Sequence, residues 1–262
     1  MAGASYNAPA MMNCISYTAA DVEGIERATV ETVSPEGVEE RDGWLLAFDS
    51  GTIGRAKSAV PLSHAFGDPQ VIAPIEARYA KHGVPAQFRL PDIANFAAMR
   101  VALASAGYRG DRLSLVQIAA AIAVRALVEN PEVTTADKTD HAWGRVFLGD
   151  GFDAVDGASR VKALRRAPDA VYASVRDGDR AIAAGAASFG HGWASIHAMR
   201  TALARRREGL AGRILSALAQ AALDRGYERI FLQVEENNEG AQSLYARAGF
   251  VNAWRYAYWH RA

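Results

Sequence analysis

The segment Arg206-Arg207-Glu208-Gly209-Leu210-Ala211-Gly212 follows a strand-like run, Gly192 to Thr201, and leads into a helix-like one. Beyond Gly209 the apolar residues fall at Leu210, Ile214, Leu215, Leu218 and Ala222, a single buried stripe at helical spacing. The small residues Gly209, Ala211 and Gly212 keep side chains clear of the backbone at this strand-to-helix turn. The first N–H groups of a helix have no internal partner and carry the positive end of its dipole, so such a turn suits a pyrophosphate. A P-loop would need Gly-Lys-Ser/Thr entering the helix, and a dinucleotide fingerprint would need G-x-G-x-x-G; neither is present here. The turn alone reads equally well as a basic, solvated helix start.

The residues downstream narrow the reading. Gly226 ends the helix, Arg229 to Glu235 is a strand of large apolar residues, and Glu236 to Phe250 holds a second helix closed by a glycine C-cap. Here the chain resembles the GNAT superfamily of acyl-CoA-dependent N-acetyltransferases. The family's pyrophosphate motif, Q/R-x-x-G-x-G/A, is matched by Arg206, Gly209 and Ala211. Its later motif, N-x-x-A-x-x-L-Y-x-x-x-G-F, is matched from Asn238 through Ala241, Leu244, Tyr245 and Gly249 to Phe250.

The resemblance, strong over about half the chain, implies acetyl-CoA as co-substrate and direct transfer of its acetyl group to a primary amine in a ternary complex. Arg206, Arg207, Glu208, Gly209, Leu210, Ala211 and Gly212 would hold the cofactor's phosphates, chiefly through backbone N–H groups. The N–H of Met199 would face the thioester oxygen as an oxyanion donor. Thr201 would pair with the pantetheine arm, and Asn238 would cap its helix and contact the cofactor. Tyr245 is the candidate general acid, since a phenol is protonated at neutral pH. For the base, His197 lies two residues before Met199 and its type titrates in a useful range. Ser195 stands where some relatives carry a catalytic glutamate, while Glu235 and Glu236 could act through water. A rival reading from another class is a non-catalytic acyl-CoA-binding or sensing protein. An enzyme using a longer acyl chain is a third.

The elements that must position these residues read as an α+β fold, a mixed sheet of two GNAT-like domains in tandem. Gly83, Ala86 to Leu90 and Ala102 to Tyr108 mirror Gly226, Arg229 to Val234 and Leu244 to Phe250 at an offset of about 142 residues. This places a degenerate domain at 1–118 and the acetyl-CoA-binding catalytic domain at 119–262. Counted back from each terminal glycine, Leu103 stands where the second copy has Tyr245, so the first copy is expected to be catalytically silent. Asp42 to Leu46 with Arg55 to Pro61 also resembles a bacterial group in which a degenerate GNAT fold precedes an active one. That group usually carries asparagine where Lys57 stands.

Thr18 and Asp21 predict a capping box for a helix to about Val33. Strands are expected over 42–48, 55–60, 86–90, 170–175, 180–189, 192–201 and 254–259, with a hairpin turn at Asp177-Gly178. Helices are expected over 70–81, 93–106, 140–150 and 158–166, with a junction at 119–140. Trp254, Tyr256 and Tyr258 share one strand face and are expected to pack in the core rather than line an acceptor pocket. The chain's 262 residues are half hydrophobic with zero formal net charge, which argues against a nucleic-acid or membrane partner. Met1 to Ala10 lacks signal-peptide character, and the single cysteine, Cys14, fits a reducing cytoplasm and a buried, inert role. A cytoplasmic monomer or homodimer binding acetyl-CoA and an amine is the expectation. His141, His191 and His260 lack metal-ligand spacing.

Overall fold

The computed structural model describes residues 15–261; the expectations for Met1 to Ala10 and for Cys14 lie outside them. Helix α1 (Ala19–Val33) opens on the expected capping box, the Thr18 hydroxyl accepting from the Asp21 N–H while the Asp21 carboxylate accepts from the Thr18 N–H. Then come β1 (Gly37–Arg41), β2 (Trp44–Phe48), β3 (Ala59–Pro61), α2 (Ile72–Lys81), β4 (Gln87–Pro91), α3 (Ala97–Ser105) and β5 (Tyr108–Ala120). A linking stretch holds α4 (Ala121–Arg125), β6 (Thr134–Ala136), α5 (His141–Arg145) and α6 (Ala154–Leu164). The second series is β7 (Ala170–Asp177), β8 (Arg180–Gly190), β9 (Trp193–Thr201), α7 (Leu210–Asp224), β10 (Arg229–Glu235), α8 (Glu239–Arg247) and β11 (Val251–Arg261).

All eleven strands form one mixed sheet in the order β1-β2-β3-β4-β11-β5-β10-β9-β8-β7-β6. The two series trade their closing strands: β11 pairs antiparallel with β4, and β5 pairs antiparallel with β10. The exchanged strands also pair with each other from Val251↔Ile118 to Arg261↔Tyr108. Strand β5 therefore runs without a break through residues 118 and 119.

Each face of the sheet has its own cover. Helix α7 lays Ile214, Leu215 and Leu218 on Ala183, Ala187, Ala194 and Ile196 on one face. On the other, α1 packs Val22, Ile25 and Ala28 against Val116, Phe231 and Trp254, while Trp143, Phe147, Val161 and Leu164 cover Ala184 and Ala186. At roughly 25 cal/mol per Å² of apolar surface removed from water, these clusters supply the main folding drive.

Three local expectations are corrected. Residues 54–57 form a 3-10 turn rather than a strand, because the Ala56 N–H donates to Ile53 O and Lys57 Nζ donates to Gly51 O. The alternating pattern of 55–60 carries no strand register there. The hairpin turn is Gly178-Asp179, since Asp177 pairs with Arg180. The expected junction begins instead with the end of β5, whose apolar residues pair on both edges. No described helix is long and apolar enough to cross a membrane.

One buried ion pair ties α1 to β4. Glu26 and Arg89 are 2% and 1% exposed and are in direct contact, with the Arg89 guanidinium 5.1 Å from the Tyr256 ring centre. Removing one partner of such a pair strands a charge in low dielectric. Arg89→Leu is therefore expected to lower the unfolding free energy in urea by about 3–5 kcal/mol, with much of the loss recovered in the Glu26→Leu/Arg89→Leu double variant.

Candidate active site

Strands β9 and β10 run parallel from Ala194↔Ile230 to Ile196↔Leu232 and then part. On its other edge β9 is bulged: Ala186 pairs with His197, and the next partners are Ala184 and Arg200. Ala198 and Met199 thus sit outside both ladders, and Ala198 adopts a left-handed φ of 56°. A non-glycine residue there costs energy that the surrounding packing must offset. Gly185 makes the bulge possible, because a Cβ there would meet Ile214 Cγ2 at 2.5 Å and Met199 Sδ at 2.7 Å. The Gly185 carbonyl, facing the bulge, accepts from Trp143 Nε1 at 3.2 Å.

The chain then turns through residues 202–209 into α7. Arg207 and Gly209 both have positive φ, and Gly209 caps α7 without a side-chain hydrogen bond. Nothing lies within 4 Å of a Cβ built on Gly209, so this helix end opens to solvent. Glu208 turns its carboxylate onto Arg205 at 2.9 Å, and Arg205 also bonds Asp177 at 2.8 Å. Among the described residues, no carboxylate lies within ion-pairing distance of Arg206 or Arg207. An open helix N-terminus beside two uncompensated arginines fits a diphosphate.

A cavity of about 290 Å³ lies where the strands part, and His197, Met199, Asn238 and Tyr245 all line it. Arg206 to Gly212 are outside its lining, at the start of α7, and Thr201 continues β9 paired with Ala183. Asn238 caps α8, its side-chain oxygen accepting from the Ala241 N–H at 3.2 Å. Tyr245 is 7% exposed and stacks edge-on against Phe250. Burial pushes its phenol up to about 12, against a smaller opposing pull from Arg200.

His197 is buried, and its Nδ1 lies 3.1 Å from the Ser195 carbonyl. A carbonyl can only accept, so Nδ1 carries the proton and Nε2 presents a lone pair with no partner among the described residues. Desolvation, aided by Arg55, pushes this histidine down to about 3, far below the range that made it attractive as a base.

Sequence reasoning missed much of the cavity wall. Thr52, Ile53, Gly54 and Arg55 reach it from the loop after β2, and Arg112 and Ser114 reach it from β5. Gln233 Oε1 accepts from Arg55 Nη1 at 3.2 Å and from the Tyr256 hydroxyl at 3.0 Å, while its Nε2 donates to Thr29 Oγ1. Tyr256 and Tyr258 do line the cavity, whereas Trp254 packs under α1. Arg200, between Met199 and Thr201, was the one legible signal: a cation at the end of a largely buried strand. Lys57, singled out beforehand, holds the loop rather than the cavity. No cluster of three or more metal-ligating side chains occurs among the described residues.

A family model described as "Probable histone acetyltransferase Rv0428c C-terminal" matches residues 19–259. The chain belongs to that family. Its fold is that of the GNAT acyl-CoA N-acyltransferases. A GCN5-related N-acetyltransferase from Kribbella flavida is 16% identical with a TM-score of 0.66, covering 92% of this chain and 95% of that one. Another from Sphaerobacter thermophilus is 16% identical with a TM-score of 0.53, covering 94% of each chain. A tandem GNAT protein from the clavulanic acid biosynthesis pathway is 12% identical with a TM-score of 0.58, covering 94% of this chain and 89% of that one. No curated protein matches the sequence.

One buried and one half-buried histidine have a consequence for acid stability. His197 and His64 are pushed down by burial to about 3 and about 4, from an ordinary 6.5. The unfolded chain binds more protons between those limits, so stability is complete above pH ~6.5 and is lost as pH falls toward the folded values. Urea-unfolding free energies at pH 7.5 and 4.5 are expected to differ less for His197→Asn than for the parent protein.

Proposed function

We propose that the protein is an N-acetyltransferase moving the acetyl group of acetyl-CoA to a primary amine in the cavity between β9 and β10. The observation that carries this reading is the placing of four donor and acceptor groups around the parting of β9 and β10. The open start of α7 leads to the unpaired Met199 backbone, which leads to a cavity holding the Tyr245 phenol and the His197 lone pair. When bound, acetyl-CoA supplies the thioester carbon that the amine attacks, the C–N bond forming as the C–S bond breaks.

The chain's own residues then have distinct tasks. The N–H groups from Arg207 to Gly212, with Arg206 beside them, hold the diphosphate, and Thr201 and Asn238 flank the arm that runs from it. The Met199 N–H donates to the carbonyl oxygen as negative charge develops there. Tyr245 gives its proton to the departing sulfur, a step for which a protonated phenol in a dry wall is suited. His197 accepts a hydrogen bond from the neutral amine and orients it. With its pKa near 3 it does not deprotonate an ammonium, so Glu235 at the cavity rim, acting through water, is the assigned proton acceptor.

The domain reading belongs to the same proposal, with a silent GNAT-like copy over 1–118 and the active copy over 119–262. Two features support it. Counted back from Gly107, Phe96 takes the place of Asn238 and Leu103 that of Tyr245, and both are fully buried. Where the active copy has open space, Gly67 closes on the Phe96 ring, a Cβ there falling 2.6 Å away. The first copy also gives the cavity Arg55 and Arg112, so it shapes the acceptor side.

Two measurements test the reading. Tyr245→Phe is expected to lower kcat roughly 100-fold while calorimetry shows an acetyl-CoA Kd close to the parent's; unchanged turnover at every pH removes the phenol from the chemistry. Gly209→Asp puts a carboxylate and a strained φ at the mouth of α7. It should weaken acetyl-CoA binding at least about tenfold by removing the favourable dipole contact. Full affinity in that variant would contradict the assigned phosphate site.

A further inference from the structure

The sheet separates the cavity's charges from the phosphate loop. Arg200 is in register with Ala184 and His197 with Ala186, and both alanines face α5 and α6. Helix α7, which begins at the phosphate loop, packs on the opposite face through Ala183 and Ala187. Arg200 and His197 therefore point to the side from which the acceptor must come. Arg55 belongs to the same side, because it bonds Gln233, whose amide reaches Thr29 on α1.

The charges on this side are unbalanced. Arg55, Arg112, Arg160 and Arg200 all line the cavity, and the one carboxylate in its lining is Glu235. Arg160 is neutralised by Asp156 at 2.6 Å and Arg112 pairs with Asp111 at 3.3 Å. Among the described residues, Arg55 has only the Gln233 amide oxygen, and Arg200 has no carboxylate within ion-pairing distance but lies 4.8 Å over the Phe152 ring. Desolvation and the nearby Arg160 disfavour the charge on Arg200, against smaller opposing pulls from Asp156 and Glu235. Two half-buried guanidiniums with no carboxylate in ion-pairing distance share this side with a histidine that is itself neutral and offers a lone pair.

We infer that the acceptor is a small amine carrying an anionic oxygen group, a carboxylate or a phosphate monoester. Its nitrogen would lie at His197 Nε2 and its anion between Arg55 and Arg200. Guanidinium forks match both anions bidentately. A lysine-rich peptide would bring more positive charge into a cavity that already has an excess. A neutral amine would leave both arginines uncompensated. The inference rests on the acetyltransferase reading and specifies its substrate class.

The test uses the full chain and four matched acceptors: an amino acid, its carboxamide, an aminoalkyl phosphate and a lysine-rich peptide. Thiol release from acetyl-CoA gives kcat/KM for each, and calorimetry gives the affinity of each for the free and CoA-saturated protein. At least one anionic amine should exceed the carboxamide and the peptide tenfold in both measurements, and the two anionic arms separate carboxylate from phosphate recognition. Arg55→Gln and Arg200→Gln should each reduce the anion-to-amide ratio at least tenfold, chiefly through KM, with Arg55→Lys retaining part of it. Anionic amines that bind no more tightly than the carboxamide, or a preferred basic peptide, overturn the inference. Absence of acetyl-CoA binding would instead overturn the acetyltransferase reading beneath it.

Discussion

The parting of β9 from β10 after Ile196 and Leu232 is the constraint on which the rest of the site depends. A parallel ladder normally satisfies every backbone group it contains, so opening one releases polar groups that must find other partners. Here the release is held in place from three sides. Gly185 makes room for Met199, Trp143 Nε1 takes up the Gly185 carbonyl, and Ile214 of α7 packs into the same gap. The strain of Ala198 in the left-handed region is confined to the point where the ladder opens.

The exchange of β5 and β11 explains why one half cannot be understood without the other. Each closing strand pairs with a strand of the opposite series, and α1 from the start of the chain covers β10 and β11 near its end. The buried Glu26–Arg89 contact pins this arrangement. The consequence for the site is direct. The loop at 52–55 and the β5 residues Arg112 and Ser114 become walls of a cavity whose floor is made by β9 and β10. Phe96 fills the space beside Gly67, and residues ahead of 118 contribute shape and charge to the cavity.

Much of this was legible in the sequence because it was local. The apolar stripe of α7, the Thr18–Asp21 capping box, the Asn238 cap and the Gly209 turn are set by residues within a few positions of each other, and each stands where its pattern predicted. The strand exchange was not legible, since two apolar strands with alternating faces can pair in either order and only the assembled sheet selects one. Arg55 was hidden for the same reason: its distance from Gln233 is 178 residues in sequence and 3.2 Å in space. His197 shows the opposite limit. Its type and position were readable, but its protonation depends on burial and on Arg55, which the order of residues does not disclose.

The most direct measurement is a backbone amide NMR titration of the isotopically labelled protein with coenzyme A and then acetyl-CoA. Saturable shifts are expected at the amides from Arg207 to Gly212 with either ligand, and at Met199 chiefly with the thioester. Binding that leaves those amides unmoved and perturbs residues elsewhere would contradict the assignment of the freed backbone groups.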